Sequence, residues 1–309
     1  MTSHWSHRRL GAPSRSMPSD ATIPSDPLAL RRVAILGLGL IGGSIGQALY
    51  AQSAGTRVTG WDPDDSTVNI AAEIGAIQSS ADGPEEAVSG ANLVVLCAPV
   101  ERVIPLLRQI APNLEPSTVV TDVGSTKARI VREAEQIIGG RFVGGHPMAG
   151  SESSGIHAAS PDLFSGASWA VTPTPATDRL AVDLAANLIT TCKAHVFHCS
   201  PEDHDLFVAY FSHLPHILSF GLAKTAFQGP SRNGADLAAG SFRDGTRVAM
   251  SDPERWTEIL MDNRAESAEA LGNFLSWCAR VRSALVRGDR NALSNLLSDA
   301  HFARKQMVK

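Results

Sequence analysis

Short apolar runs alternate with helical stretches over the first two thirds of the chain. The runs cover residues 33–36, 57–61, 93–97, 118–122, 141–144, 168–171 and 194–197. Each run is mainly apolar and bounded by turn residues, which is typical of a buried strand. Because helical stretches separate most of these runs, we predict an α/β domain over residues 31–199, with a mostly parallel sheet and helices on both faces.

The last third of the chain has a wholly helical pattern. Ser200 is a predicted N-cap and Pro201 the first residue of a helix. A second helix start is predicted at 251–254 and a last helix over 290–307. Residues 200–309 are therefore predicted to form an all-helical domain. Its apolar stripes are more than one small bundle needs, so we expect it to form a homodimer.

Residues 1–30 differ from both of these parts. They contain six Ser and four Pro and show no apolar periodicity. A segment of this composition cannot bury enough apolar surface to offset its ordering entropy. We therefore predict a disordered tail.

Composition narrows the functional classes. Lys and Arg number 27 and Asp and Glu number 31, a net charge of −4, so we expect no surface for nucleic acid or anionic lipid. The four cysteines show no C-x-x-C spacing, which disfavours a zinc site or redox pair and fits a reducing, cytoplasmic compartment.

Residues 33–56 carry no charge and are long enough to span a bilayer, but Gln47, Gln52 and many glycines argue against a membrane helix.

The segment Gly37–Gly42 has the pattern G-x-G-x-x-G between the first predicted strand and the first predicted helix. Here the glycines allow a tight turn, approach of a pyrophosphate and close packing of helix on strand. Asp62 closes the second strand 20 residues after Gly42, where a carboxylate binds the ribose of NAD and repels a 2′-phosphate. We predict a Rossmann-like domain that binds NAD. The residues predicted to contact the cofactor are Gly37, Gly39, Leu40, Ile41, Gly42, Asp62, Ala98, Pro99 and Asp122.

Two loops follow the carboxyl ends of predicted strands, where ligands of such sheets bind. They are Asp122–Lys127 and Gly145–Glu152. The second loop contains His146. Its surrounding glycines indicate a shaped loop, so a catalytic and a structural histidine are equally consistent with the pattern.

The helical domain carries two further candidate clusters. His204, His213 and His216 stand on its first helix, but no carboxylate or cysteine joins them at ligand spacing, so we predict no metal. Arg243 and Arg247 offer planar guanidinium groups that suit a carboxylate. They could equally tie two helices together.

Five segments of the chain together resemble the prephenate/arogenate dehydrogenases of tyrosine biosynthesis. They are 37–44, 122–127, 146–152, 212–216 and 243–247. Many families share the nucleotide motif, whereas the His-Pro-Met-Ala-Gly block followed by the Ser-His-Leu-Pro-His block is far more specific. The resemblance runs from about residue 32 to 265.

The resemblance implies an NAD-dependent oxidative decarboxylation of prephenate to 4-hydroxyphenylpyruvate. It implies that His146 accepts the proton of the ring hydroxyl, that Ser125 orients this hydroxyl or the imidazole, and that Arg247 binds the ring carboxylate. The other residues implied to line the substrate pocket are His213, His216, Ser151, Glu152, Trp256 and Arg243.

Three alternatives stay open on the sequence. Arogenate carries an ammonium in place of the side-chain keto group, and Glu152 could pair with it or act as a gate. A β-hydroxy acid dehydrogenase usually has a Lys acid/base on its helical domain, where only Lys224 follows the histidines here. A regulator that senses NAD without catalysis would need a DNA-binding or partner module, and no basic helix-turn-helix region is visible.

Overall fold

The computed structural model describes residues 26, 28–53, 55–150, 154–228 and 230–307 of the chain. The predicted tail over 1–30 lies almost wholly outside these residues. Its last residue, Leu30, is buried in the core. The amides of Arg31 and Arg32 donate to the side-chain oxygen of Asn92. The packed part of the chain therefore includes Leu30.

The described residues form one eight-stranded sheet in the first domain. Its strands are β1 (Arg32–Leu36), β2 (Arg57–Trp61), β3 (Ser79–Ser80), β4 (Leu93–Leu96), β5 (Val119–Asp122), β6 (Phe142–Pro147), β7 (Ser168–Thr172) and β8 (His195–His198). They lie in the order β3-β2-β1-β4-β5-β6-β7-β8, and neighbours are parallel except for the antiparallel pair β6–β7. All seven predicted strands are present. Strand β3 was not predicted because it consists of two exposed serines.

Helices cover both faces of this sheet. They are α1 (Leu40–Gln52), α2 (Asp65–Glu73), α3 (Pro84–Ala87), α4 (Val100–Ile110), α5 (Ala128–Ile138) and α6 (Arg179–Thr191). Successive side chains of a strand point to opposite faces. Val33 and Ile35 of β1 therefore belong to the core under α1 and α6, whereas Ala34 and Leu36 belong to the core under α4 and α5. The parallel strands bring their carboxyl ends to one edge.

The described residues after Ser200 form helices joined by short turns. They are α7 (Pro201–Val208), a π-helical turn (Ala209–His213), α8 (Leu214–Phe227), α9 (Gly240–Thr246), α10 (Pro253–Asp262), α11 (Arg264–Arg287) and α12 (Arg290–Met307). Ser200 caps α7 by accepting from the amide of Asp203, as predicted. The helix predicted from residue 251 is two helices, because Asp252 caps α10 and the chain leaves helical geometry at Asn263.

One helical stretch of the described chain, Pro201–Phe227, is long and apolar enough to cross a membrane on length and composition alone. Its most apolar window has a mean hydropathy of 1.4 and is 22% buried within the single chain. The stretch also carries His204, Asp205 and His213, whose side chains are buried in polar contacts. Such groups are costly in lipid. The stretch therefore fits a protein interface better than a bilayer.

Candidate active site

The turn Gly37–Gly42 lies between β1 and α1 at the carboxyl edge of the sheet. Gly37 has a φ of 100°, which other residues rarely adopt, and a Cβ on Gly42 would stand 1.9 Å from the Gly37 carbonyl oxygen. Gly39 instead faces open space and is the N-cap of α1, whose first turn has no acidic residue. The N-terminus of this 13-residue helix therefore presents amides and a positive dipole end to a phosphate.

Asp62 follows β2 directly and lies beside this turn. One oxygen of its carboxylate accepts from the amide of Leu38 at 2.8 Å, and the other accepts from the amide of Asp64 at 3.0 Å. Ala98 and Pro99 connect β4 to α4 at the same edge, and Pro99 is exposed. An open glycine, a helix N-terminus and a carboxylate on one edge fit a dinucleotide such as NAD.

Asp122, at the end of β5, differs from the other predicted cofactor residues because its side chain is fully buried. It forms an ion pair with Lys127, which is also fully buried. Its oxygens further accept from the amides of Gly124 at 2.9 Å and Gly145 at 3.1 Å. Breaking such a buried pair typically costs about 3–5 kcal/mol. The side chain therefore stabilises the β5–α5 loop against β6, and its contact with the cofactor stays a prediction.

His146 lies near the end of β6 and is partly buried. Its Nδ1 is 2.9 Å from Nε2 of His204, and Nδ1 of His204 is 2.8 Å from Oδ1 of Asp205. Burial lowers the pKa of His146 well below its usual range, and His204, Lys127 and His213 lower it further. His146 is therefore neutral at pH 7, the form that can accept a proton.

Two carboxylates of the helical domain bind the N-terminus of α5 in the sheet domain. Asp205 accepts from the amides of Lys127 at 2.7 Å and Ala128 at 2.9 Å. Asp262, at the end of α10, accepts from the hydroxyl of Thr126. Because a helix N-terminus favours negative charge, these contacts hold the two domains together beside the β5–α5 loop.

A cluster of aromatic rings joins the π-helical turn, α8 and α10. His216 stacks on Trp256 with ring centroids 3.5 Å apart, and its Nδ1 is 2.9 Å from the carbonyl oxygen of Ser212. His213 is 1% exposed, and its Nδ1 is 3.2 Å from the hydroxyl of Ser267. Burial lowers the pKa of His213 to about 4. His213 therefore supports this cluster from inside, whereas His216 and Trp256 are partly exposed.

The other predicted site residues that the structure describes lie on less buried parts of the chain. Arg243 lies in α9 and Arg247 directly follows it, and both are exposed. The turn that begins at Arg247 packs on α8, the helix that carries His216. Ser125 is partly buried in the β5–α5 loop. The predicted pocket residues Ser151 and Glu152 lie outside the described residues.

His204 and Asp205 join His146 in the candidate site. The sequence patterns single out His204 only as a member of a histidine cluster and do not predict a role for Asp205. Consecutive residues of an ideal helix do not face each other, so helical periodicity alone does not predict the hydrogen bond between these two side chains. The available signal is an acidic residue near the start of a helix at a domain boundary. Among the described residues, no group of three or more His, Cys, Asp or Glu side chains could hold a metal ion.

The fold and the site together define a class of protein. The sheet domain has a dinucleotide-binding turn, and it joins the helical domain beside a neutral histidine. This arrangement is that of an NAD-dependent oxidoreductase. Family models specify it further. The model for the nucleotide-binding domain of prephenate dehydrogenase matches residues 45–198, and the model for its dimerization domain matches 200–299. The chain therefore belongs to the prephenate dehydrogenase family.

Individual relatives agree with this assignment. The chain is 37% identical over 268 residues to prephenate dehydrogenase of Bacillus subtilis, covering 84% of this chain and 72% of the relative. It is similar to the crystal structure of A. aeolicus prephenate dehydrogenase in complex with hydroxyphenyl propionate and NAD+, with a TM-score of 0.84, 29% identity, and 90% and 99% of the two chains covered. It is also similar to Synechocystis arogenate dehydrogenase, with a TM-score of 0.78, 29% identity, and 90% and 100% covered. The predicted fold class, family and enzyme class are confirmed.

Proposed function

We propose that this chain catalyses the oxidative decarboxylation of prephenate to 4-hydroxyphenylpyruvate in tyrosine biosynthesis. The substrate loses a hydride from C4 of its ring, and the bond between C1 and the ring carboxylate breaks to release CO2. The electron pair of that bond completes the aromatic ring. One prephenate dianion and one NAD+ give one 4-hydroxyphenylpyruvate anion, one CO2 and one NADH, so the reaction releases no net proton.

The observation that carries this proposal is the neutral His146 at the carboxyl edge of a dinucleotide-binding sheet. Because its Nδ1 bonds to His204, its Nε2 is the nitrogen left to accept the proton of the C4 hydroxyl. That proton returns to the oxygen as the product phenol forms. General-base assistance of this kind contributes about 10²–10⁴-fold. Ser125, on the neighbouring loop, is proposed to orient the hydroxyl.

The cofactor is proposed to lie across the Gly37–Gly42 turn. The amides of Leu40 and Ile41, at the start of α1, are proposed to bind its pyrophosphate. Asp62 is proposed to bind the ribose hydroxyls and to exclude a 2′-phosphate, and Ala98–Pro99 to line the same edge. When bound, NAD+ supplies the hydride acceptor.

Prephenate carries two carboxylates, which favours positively charged side chains in the pocket that binds it. Arg247 is proposed to bind the ring carboxylate with two parallel hydrogen bonds, which a lysine cannot reproduce. The exposed position of Arg247 on the helical domain supports a role in binding substrate across the domain boundary. The further residues proposed to line the pocket are Arg243, His213, His216, Trp256, Ser151 and Glu152.

The helical domain is proposed to form a homodimer. Apolar side chains along α11 and α12, such as Leu285 and Phe302, are exposed in the single chain. They support this assembly because exposed apolar surface is unfavourable in water and marks interaction sites. The description of the matching family model as a dimerization domain supports it as well. A cytoplasmic location is part of the proposal, because all four cysteines carry free thiols.

Absorbance at 340 nm tests the proposed activity on purified protein with NAD and either prephenate or arogenate. We expect NADH to form with prephenate at a higher kcat/KM than with arogenate. A higher kcat/KM with arogenate would instead favour the activity named for the Synechocystis relative. No NADH from either compound would contradict the proposal.

A further inference from the structure

His146 is the end of a chain of hydrogen bonds that crosses the boundary between the two domains. Its Nδ1 lies 2.9 Å from Nε2 of His204, whose Nδ1 lies 2.8 Å from Oδ1 of Asp205. His204 is 2% exposed and Asp205 is 6% exposed, so bulk water does not compete for these bonds. The rings of His146 and His204 meet edge to face with centroids 5.1 Å apart.

The carboxylate of Asp205, the last acceptor in this chain of hydrogen bonds, determines which atom donates in each bond. Burial lowers the pKa of His204 below its ordinary value, although Asp205 opposes this shift, so the ring of His204 is neutral at pH 7. The carboxylate of Asp205 can only accept, which places the proton of His204 on Nδ1. Nε2 of His204 is then an acceptor, and Nδ1 of His146 must donate to it. Nε2 of His146 is left without a proton.

The position of Asp205 is itself fixed from several sides. Its carboxylate oxygens accept from the amides of Lys127 and Ala128 at 2.7 and 2.9 Å. Its carbonyl oxygen accepts from the side-chain amide of Asn263 at 2.8 Å. The carboxylate therefore has little freedom to turn, and it holds Oδ1 against His204.

We propose that His204 and Asp205 are positioning residues that fix the tautomer of His146. Asp205 fixes the proton of His204, His204 fixes the proton of His146, and Nε2 of His146 stays available to the substrate hydroxyl. The inference rests on the proposed function only for what this free nitrogen does. The tautomer is a property of the protein without substrate or cofactor.

Two variants of His204 separate positioning from packing. We expect His204→Gln to keep both bonds, because an amide N–H can donate to Asp205 while the amide oxygen accepts from His146. His204→Leu removes both bonds and leaves a buried N–H of His146 unpaired. We expect His204→Leu to lower kcat about 10- to 100-fold, with KM changed much less, and His204→Gln to keep most of the wild-type kcat.

The matched control is His195→Gln, at an exposed position at the start of β8, which should keep the wild-type kcat. A His204→Leu protein with wild-type kcat would overturn the inference. So would a His204→Gln protein as slow as His204→Leu, since positioning alone would then not explain the loss.

Nitrogen-15 NMR of histidine-labelled wild-type protein tests the tautomer without substrate or cofactor. We expect His146 to show a protonated Nδ1 and an unprotonated Nε2, with its signals identified by their loss in His146→Asn. A proton on Nε2 in the wild type would overturn the inference. If the expected tautomer is present but prephenate yields no NADH, the proposed function fails and the positioning chain stands.

Discussion

The two domains reach their stability in different ways. In the sheet domain, α4 buries six of its 11 residues against the sheet. In the helical domain, α11 buries three of its 24 residues and α12 buries one of 18. Helices in proteins draw most of their stability from packing an apolar face. Within a single chain, α4 therefore packs an apolar face into a core, whereas most of α11 and α12 lies outside one.

The exposed side chains of the helical domain support the same contrast. Its large exposed apolar residues include Phe211, Phe227, Leu237, Met250, Met261, Leu275, Leu285, Val286, Leu297, Phe302 and Met307. The residues proposed to bind the cofactor all lie in the sheet domain. Several residues proposed to bind the substrate lie in the helical domain, whose packing, we infer, is completed by a second copy.

The largest effect should come from the sheet domain and leave assembly unchanged. We expect His146→Asn to fold, dimerise and bind NAD normally but to lose about 10²–10⁴-fold in kcat, because the general base is gone. Steady-state kinetics, NAD titration and light scattering on one preparation check the three properties. Wild-type turnover in this variant would remove His146 from the mechanism.

A substitution in the helical domain should instead act on substrate affinity. We expect Arg247→Ala to raise KM for prephenate about 10- to 150-fold, since a charged hydrogen bond contributes about 1.5–3 kcal/mol. NAD affinity should be almost unchanged, and Arg247→Lys should recover only part of the loss. A lower melting temperature with a normal KM would show a structural role and leave Arg243 as the better carboxylate ligand.

A charged substitution at an exposed apolar position should weaken the proposed dimer interface. We expect Leu285→Glu, at a residue 60% exposed in the single chain, to raise the dimer dissociation constant about 30-fold, the effect of losing about 2 kcal/mol. Tyr50→Glu is the matched control in the sheet domain, where Tyr50 is 68% exposed, and should leave the dimer intact. Sedimentation velocity measures both. An unchanged dimer in Leu285→Glu would place the interface elsewhere.

The smallest expected effect concerns the choice of cofactor in the sheet domain. Two like charges 4 Å apart repel by about 1 kcal/mol in water, or about fivefold. We expect the wild type to have a higher kcat/KM with NAD than with NADP, and Asp62→Asn to reduce this preference about fivefold. Steady-state kinetics with both cofactors decide the point, and equal or better use of NADP by the wild type would refute it.

The sequence predicted those features that local pattern determines. Buried parallel strands have continuous apolar sequences. The G-x-G-x-x-G spacing of Gly37–Gly42 marks a turn with close backbone contacts. Both features were therefore predictable. The break at Asn263 was not, because the apolar stripe continues on both sides of it. The bonds of His204 to His146 and of Asp205 to the start of α5 depend on how the two domains pack, which no local pattern encodes.

The most direct test of whether a neutral, buried His146 is the general base is the pH dependence of kcat/KM for prephenate. This parameter reports the pKa values of essential groups in the free enzyme. Burial lowers the pKa of His146 below its ordinary 6.5, so the base is unprotonated at pH 7 and is lost only as the pH falls through that lowered value. This mechanism predicts a flat profile through neutrality, an acid limb below pH 6.5 that falls about tenfold per pH unit, and no such limb in the residual activity of His146→Asn. An acid limb at or above pH 6.5, or the same limb in His146→Asn, would contradict it.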